Sequence, residues 1–215
     1  MGKPLITYAT GKQTKMACLC FHYAKCTPQQ KFSYSVYEHG EWCGVIIFGP
    51  GAAINIARPF GLEQDQVCEL VRVALNGKQE TTSECIAAAL RQLHKDAPGI
   101  KIVVSYADKD QNHAGTIYQA TNWIYLGEKE PGALTAFVVD GKKLHRRSVG
   151  AMGGKQNIKW VRDNIDPDAQ EFRTQGKHKY VFSFDKRYRR ELLKQSKPYP
   201  KKQPGASQND RGDIK

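Results

Sequence analysis

Residues Val103 to Gly127 read VVSYADKDQNHAGTIYQATNWIYLG. An apolar run through Ile102, Val103 and Val104 breaks into a segment that carries Ser105, Asp108, His113, Tyr118, Asn122 and Trp123, and then resumes as WIYLG. A plain core strand has no use for that chemistry, because each buried polar group costs free energy unless it is paired. The break is therefore either a loop that caps itself or a site placed at a strand end. The flanking runs read as strands and HAGTIYQATN between them as a short helix.

The neighbouring segments extend this pattern. TTSECIAAALRQLHKDAPG opens with Ser and Thr caps, places Ile86, Ala89, Leu90 and Leu93 at helical spacing, and stops at Pro98-Gly99. QVCELVRVAL, residues 66–75, is a strand. KFSYSVYEHGEWCGVIIFG alternates on both sides of His39-Gly40, the pattern of a β-hairpin with strands near 32–38 and 42–48. GPGAAINIARPFG is a loop or one short helix, and ALTAFVVDG is a further strand. Hairpin, strand, long helix, strand, short helix, strand and strand predict an α/β (α+β) domain with a mixed, mostly antiparallel sheet flanked by helices. The expected division is a core over residues 1–140, its sheet and long helix spanning about 18–140, a basic extension packed on it over 141–202, and a disordered tail over 203–215.

A chain of 215 residues suits one such domain with a small appendage. It has no apolar run of membrane-spanning length and no signal-like start, so a soluble, cytoplasmic protein is expected. Its six cysteines then read as reduced thiols, with Cys43, Cys68 and Cys85 as core residues. CLCFHYAKC groups Cys18, Cys20, Cys26 and His22, but its spacing matches no usual zinc knuckle and a second ligand pair is missing.

Charge is uneven. Residues 1–140 hold 13 Lys+Arg against 13 Asp+Glu, whereas 141–215 hold 20 against 8, which is the whole net charge of +12. The basic region is interleaved with Tyr180, Phe182, Phe184 and Tyr188. That combination suits a surface that follows phosphates and stacks on bases, so double-stranded DNA is the expected partner. The expected phosphate contacts are Arg146, Arg147, Lys177, Lys179, Lys186, Arg187, Arg189 and Arg190. A solvated basic helix is the plain alternative.

The element order resembles the GNAT acyltransferase fold, most sharply at GTIYQATNWIYLG. There Tyr118 corresponds to a Tyr that protonates a leaving thiolate; the alternative is a ring that packs under the strand. The likeness places cofactor contacts at Thr82, Ser83 and Asn122, with acetyl-CoA or another acyl donor. The two-glycine phosphate turn that usually precedes the long helix is not present in NGKQETTS.

A more specific resemblance is to the Mom family of phage DNA-modification proteins. It rests on FHY (21–23), GVIIFGPGA (44–52), ELVRVAL (69–75), SYADKDQNHAGTIYQATNWIYLG (105–127), KYVFSFDKRYRREL (179–192) and PYPK (198–201). The resemblance implies transfer of a carbamoylmethyl (methylcarbamoyl) group to N6 of adenine in DNA, in the host cytoplasm, as protection from restriction. It assigns catalytic roles to Asp108, Tyr118, His22, Tyr23 and Ser105. It also makes His22, Tyr23, Asp108 and Tyr118 candidate ligands of a non-haem iron. The competing functions are a GNAT acyltransferase acting on a small amine or protein lysine, and a basic DNA-binding protein without catalysis.

Overall fold

The structure is a computed structural model that describes residues 2–51, 55–129, 136–173 and 175–201. Strands β2 (Phe32–Glu38) and β3 (Glu41–Gly49) pair antiparallel around His39 and Gly40. These two residues have φ of 51° and 81°, the left-handed pair of a tight hairpin turn. β3 pairs in turn with β4 (Val67–Leu75), and at Gly44 the two backbones come too close for a side chain. Gly44 has φ of 132°, and a Cβ there would stand 2.1 Å from the Ala74 carbonyl oxygen. Gly44→Ala is expected to cost about 3 kcal/mol or more. An unchanged urea midpoint would contradict this close approach.

β1 (Leu5–Tyr8), α1 (Gly11–Cys20), α2 (Thr82–Asp96), β5 (Ile102–Asp108), α3 (Thr116–Ala120), β6 (Ile124–Lys129), β10 (Lys177–Ser183) and α6 (Lys186–Lys194) complete the main body. Its seven-stranded sheet runs β1-β2-β3-β4-β5-β10-β6, antiparallel throughout except for β4 and β5. The apolar stripe of α2 (Cys85, Ile86, Ala89, Leu90, Leu93) packs on one face with Tyr34, Phe48 and Val103. On the other face, Ala17 and Cys18 of α1 cover Val45, Ile47 and Ala74, while Leu192 of α6 covers Ile102, Val104 and Val181. The mixed sheet between helices is the fold class expected from the sequence.

The boundaries differ from expectation at both ends. The main sheet does not begin near residue 18, because β1 is its edge strand and α1 packs beneath it. Nor does it end near 140. β10, drawn from the basic region, lies between β5 and β6 with Tyr180 and Val181 fully buried. What does stand apart is the segment between β6 and β10. There β7 (Ala136–Val139), β8 (Lys142–His145) and β9 (Gln170–Phe172) form a three-stranded sheet. With α4 (Arg146–Ala151) and α5 (Ile158–Asn164) it encloses a small core of Phe137, Val149, Val161 and Ala169. The expected tail at 203–215 lies outside the described residues. Among the described residues no helix is long and apolar enough to cross a membrane.

Candidate active site

β4 and β5 pair only at Val67–Ile102, Cys68–Val103 and Glu69–Val104, after which they part. Two local features separate them. The β3–β4 register shifts at Ile47/Phe48, which leaves Val71 as a bulged residue and bends β4. On its other edge β5 pairs with β10 along its whole length, from Ile102–Ser183 to Asp108–Lys177, so its outer part stays in the sheet while β4 bends away. A cavity of about 420 Å³ opens in the gap, within the usual range of ~300–1,000 Å³ for small-molecule sites.

Tyr118 forms the floor, and Ser105 lies behind it. Ser105 Oγ lies 2.9 Å from the Leu70 carbonyl oxygen, across the gap, and 2.8 Å from the Tyr118 hydroxyl. A serine hydroxyl has one proton and a carbonyl only accepts. With that proton on Leu70, the Tyr118 hydroxyl donates to Ser105. Tyr118 is 7% exposed and lies between the rings of Trp123 and Tyr180, each 5.1 Å away between centroids. α3 can sit this close because Gly115, at φ 75°, has no Cβ; one would fall 2.4 Å from the Tyr180 ring. Ser105→Ala removes both the tether across the gap and the acceptor for Tyr118. The expected outcome is a loss of about 1–3 kcal/mol in stability with a lowered kcat, read by urea unfolding beside steady-state rates. Unchanged values of both would show that neither bond matters.

His22, Tyr23, Arg72, Asp108, His113 and Lys177 line the mouth. His22 and Tyr23 follow α1, and their rings stack at 4.2 Å, with His113 edge-on to Tyr23 at 6.1 Å. Tyr23 keeps half its surface exposed, while burial of its hydroxyl end, then the Asp108 carboxylate, push its pKa up. Arg72 Nη1 lies 2.7 Å from His22 Nδ1 and 3.1 Å from Nε2, and the Ala24 N–H donates to Nδ1. Burial first, then Arg72, His113 and Lys25, hold the His22 pKa down at about 3. In the unfolded chain it titrates near 6.5. Between these values the unfolded state binds the extra proton. This contribution to stability is therefore complete above about pH 6.5 and is lost progressively toward pH 3. By pH 4 the loss should be about 2 kcal/mol, allowing for partial exposure. His22→Gln should flatten that acid limb in urea unfolding; equal limbs in both proteins would contradict the assignment.

Asp108 ends β5 and caps the turn beyond it, its Oδ1 accepting from the Asp110 N–H. It serves as a loop cap and lines the cleft as well. Of the expected cofactor contacts, Thr82 lines the cleft at the start of α2 and accepts from Gln79 Nε2 at 3.0 Å. Ser83 is not among the lining residues. Asn122 instead closes the turn after α3 with φ of 59°, its carbonyl accepting from Arg189.

A family model described as the Mom protein family matches residues 5–201. The chain belongs to the Mom family. It is 29% identical over 175 residues to "Methylcarbamoylase mom" of Escherichia phage Mu, across 77% of this chain and 70% of that protein. It is also similar to the crystal structure of a phosphinothricin N-acetyltransferase-like protein, with a TM-score of 0.50 and 10% identity, covering 85% of this chain and 99% of that one. The latter likeness shows that the Mom chain has the fold of GNAT acetyltransferases.

The Mom motif 105–127 supplies the floor and one wall of the cleft, FHY supplies another wall, and ELVRVAL supplies the parting strand. The candidate iron set does not fit this arrangement. The Arg72 guanidinium stands against the His22 ring, with Nη1 2.7 Å from Nδ1 and 3.1 Å from Nε2, so a cation already stands where a metal would bind; the Tyr118 hydroxyl is engaged by Ser105, and Asp108 Oδ1 by its own loop. Among the described residues no group of three or more His, Cys, Asp or Glu is placed to hold a metal ion. The same applies to zinc at CLCFHYAKC, where Cys18 is buried under the sheet while Cys20 and Cys26 are exposed. Sequence reasoning misses Arg72, although a cation inside a mostly apolar strand is a signal, and Gln79.

The basic residues divide by environment. Lys186, Arg187 and Arg190 are exposed on α6, and Arg146 and Arg147 open α4. Lys177 lines the cleft. Lys179 stands 5.0 Å from the Phe60 ring centroid, and burial, then Lys129, lower its pKa. Arg189 spends a guanidinium N–H on the Asn122 carbonyl.

Proposed function

We infer that this chain is a DNA-modification transferase that places a carbamoylmethyl (methylcarbamoyl) group on N6 of adenine in DNA, which shields phage DNA from host restriction. The observation that carries this reading is that the long Mom motif lies along the cleft where β4 and β5 part, with buried Tyr118, hydrogen-bonded to Ser105, at its floor. The name of the phage Mu relative supports the nature of the transferred group.

The chemistry asks for such a site. The N6 lone pair of adenine is delocalised into the ring, so transfer needs an activated donor and managed protons. N6 attacks the electrophilic carbon of the donor, the bond from that carbon to the leaving atom breaks, and N6 loses a proton. Asp108, at the mouth, accepts the N6 proton; Tyr118, at the floor, delivers its hydroxyl proton to the leaving atom and is reprotonated through Ser105 or solvent. The donor, in which the CH2 carbon of the carbamoylmethyl group bears the leaving atom, enters at the Gln79–Thr82 end and reaches the floor along the strand gap. No step is routed through iron, given the Arg72–His22 contact. The base must leave the duplex to reach the cleft, where the half-exposed Tyr23 ring offers a stacking surface at the rim. Duplex DNA is held through its phosphates by α6 and the opening of α4.

The test is nucleoside mass analysis of DNA from cells that express the chain. Deoxyadenosine carrying one added carbamoylmethyl group is expected, together with resistance of that DNA to restriction. Unmodified DNA beside acylated small amines or lysines would favour an acyltransferase of the ordinary GNAT kind.

A further inference from the structure

The segment Asn112–Gly115 separates the main cleft from a second cavity of about 200 Å³ that the reading above leaves unused. His113 lines both cavities. The smaller one also has Lys109, Asn112, Glu128, His178 and Lys201 in its walls.

Its polarity is unusual for its place in the fold. On β10, alternation puts His178 on the same face as Tyr180 and Phe182, which bury aromatic rings in the core. His178 is only 8% exposed, yet it is an imidazole. Its Nδ1 lies 2.8 Å from the Tyr125 hydroxyl, and among the described residues no hydrogen bond engages Nε2. Lys109 pairs with one Glu128 oxygen at 2.6 Å, the other stands 3.9 Å from His178 Nδ1, and Lys201 adds a second cation to the wall. Asn112 and Gln175, which carry amide side chains, also line it. Surplus positive charge, amide side chains and an available imidazole suit an oxyanion. The volume falls below that of ordinary small-molecule sites and accommodates a tetrahedral anion.

The chain also brings Lys201 there by a built route. Beyond α6, the Lys197 N–H donates to the Tyr125 carbonyl at 2.9 Å and the Tyr199 hydroxyl donates to the Trp123 carbonyl at 2.6 Å. The Tyr199 ring stacks on Tyr180 at 6.4 Å. These contacts fasten the strap beside β6 and set Pro200 and Lys201 in the wall of the cavity.

We propose that this second cavity holds a backbone phosphate of the DNA next to the extruded adenine, with the His113 segment as the partition between phosphate and base. The proposal rests on the DNA reading above and adds a defined phosphate site to it.

The test uses the full chain and a single-stranded oligonucleotide with one adenine, in which each linkage is replaced in turn by a neutral methylphosphonate. Binding is read by fluorescence anisotropy. In the wild type, one linkage adjoining the adenine should be sensitive, with a loss of roughly tenfold. Lys201→Ala and Gln175→Ala, both at exposed positions, should each weaken the all-phosphate strand and make that same linkage insensitive, the non-additivity of a shared contact. Additive losses, or no sensitive linkage beside the adenine, would overturn the proposal. In a second arm, inorganic phosphate should shift the His178 ring signals by NMR in the wild type but not in Lys201→Ala, and the oligonucleotide should displace it. Displacement by coenzyme A but not by the oligonucleotide would assign the site to the donor and overturn the DNA source. Non-additive coupling without any modified adenine would remove the proposed chemistry and leave the phosphate site standing.

Discussion

Tyr118→Phe is expected to lower the rate of adenine modification by about 10²–10³-fold while leaving DNA affinity within a factor of two, in line with loss of one general acid. The substitution keeps the ring between Trp123 and Tyr180 and removes only the hydroxyl. Ser105 retains its bond to the Leu70 carbonyl, so no buried donor is stranded and the stability cost should stay near 1 kcal/mol. The fall should therefore appear in kcat and not in the DNA concentration needed for half-maximal rate. Asp108→Asn should also lower kcat, with an added cost from its weakened cap on the Asp110 N–H. Single-turnover formation of the modified nucleoside separates these effects. Wild-type rates in Tyr118→Phe would reduce this residue to a core ring.

Replacing Lys186, Arg187 and Arg190 together by Ala should lower duplex affinity at low salt by about two orders of magnitude. The same variant should flatten the dependence of log affinity on log salt by between two and three units, because each lost phosphate contact removes about 0.9. These three side chains are exposed on one short helix that is otherwise fixed by Leu192 in the core and by the Asp185 cap. Arg189 is left in place because its bond to the Asn122 carbonyl ties α6 to the turn after α3, so losing it would confuse binding with folding. The effect should be the same on duplexes of any sequence, since phosphate contacts position the protein without reading bases. An unchanged salt slope would mean that α6 is merely solvated and would move the DNA surface toward α4 and the cleft mouth.

The parts of the fold legible in the sequence were those whose burial imposes a period. The β2–β3 hairpin, β4, α2, β5, α3 and β6 all show alternation or helical spacing strong enough to read. α1 was missed because GKQTKMACLC buries only Thr14, Ala17 and Cys18, too little for an apolar stripe, although Thr10 and Gln13 form a capping box that marked its start. β10 is hidden by its charges: KHKYVFS alternates as a strand should, but Lys177 and Lys179 give it the composition of the basic surface around it, although Tyr180 and Val181 are central to the sheet. At the site, the motif residues His22, Tyr23, Asp108 and Tyr118 do line one cleft. The roles within it depend on contacts across the strand gap, such as Ser105 to Leu70 and Arg72 to His22, which spacing along the chain does not reveal.

The central claim is that this cleft carries out group transfer to adenine, and the most direct measurement is the mass of deoxyadenosine from DNA incubated with the purified chain and a cell extract that supplies the donor. The account predicts a deoxyadenosine heavier by one carbamoylmethyl group, with the addition on N6, formed by the wild type and nearly absent with Tyr118→Phe. Unmodified adenine with the wild type, or equal modification by both proteins, would contradict it.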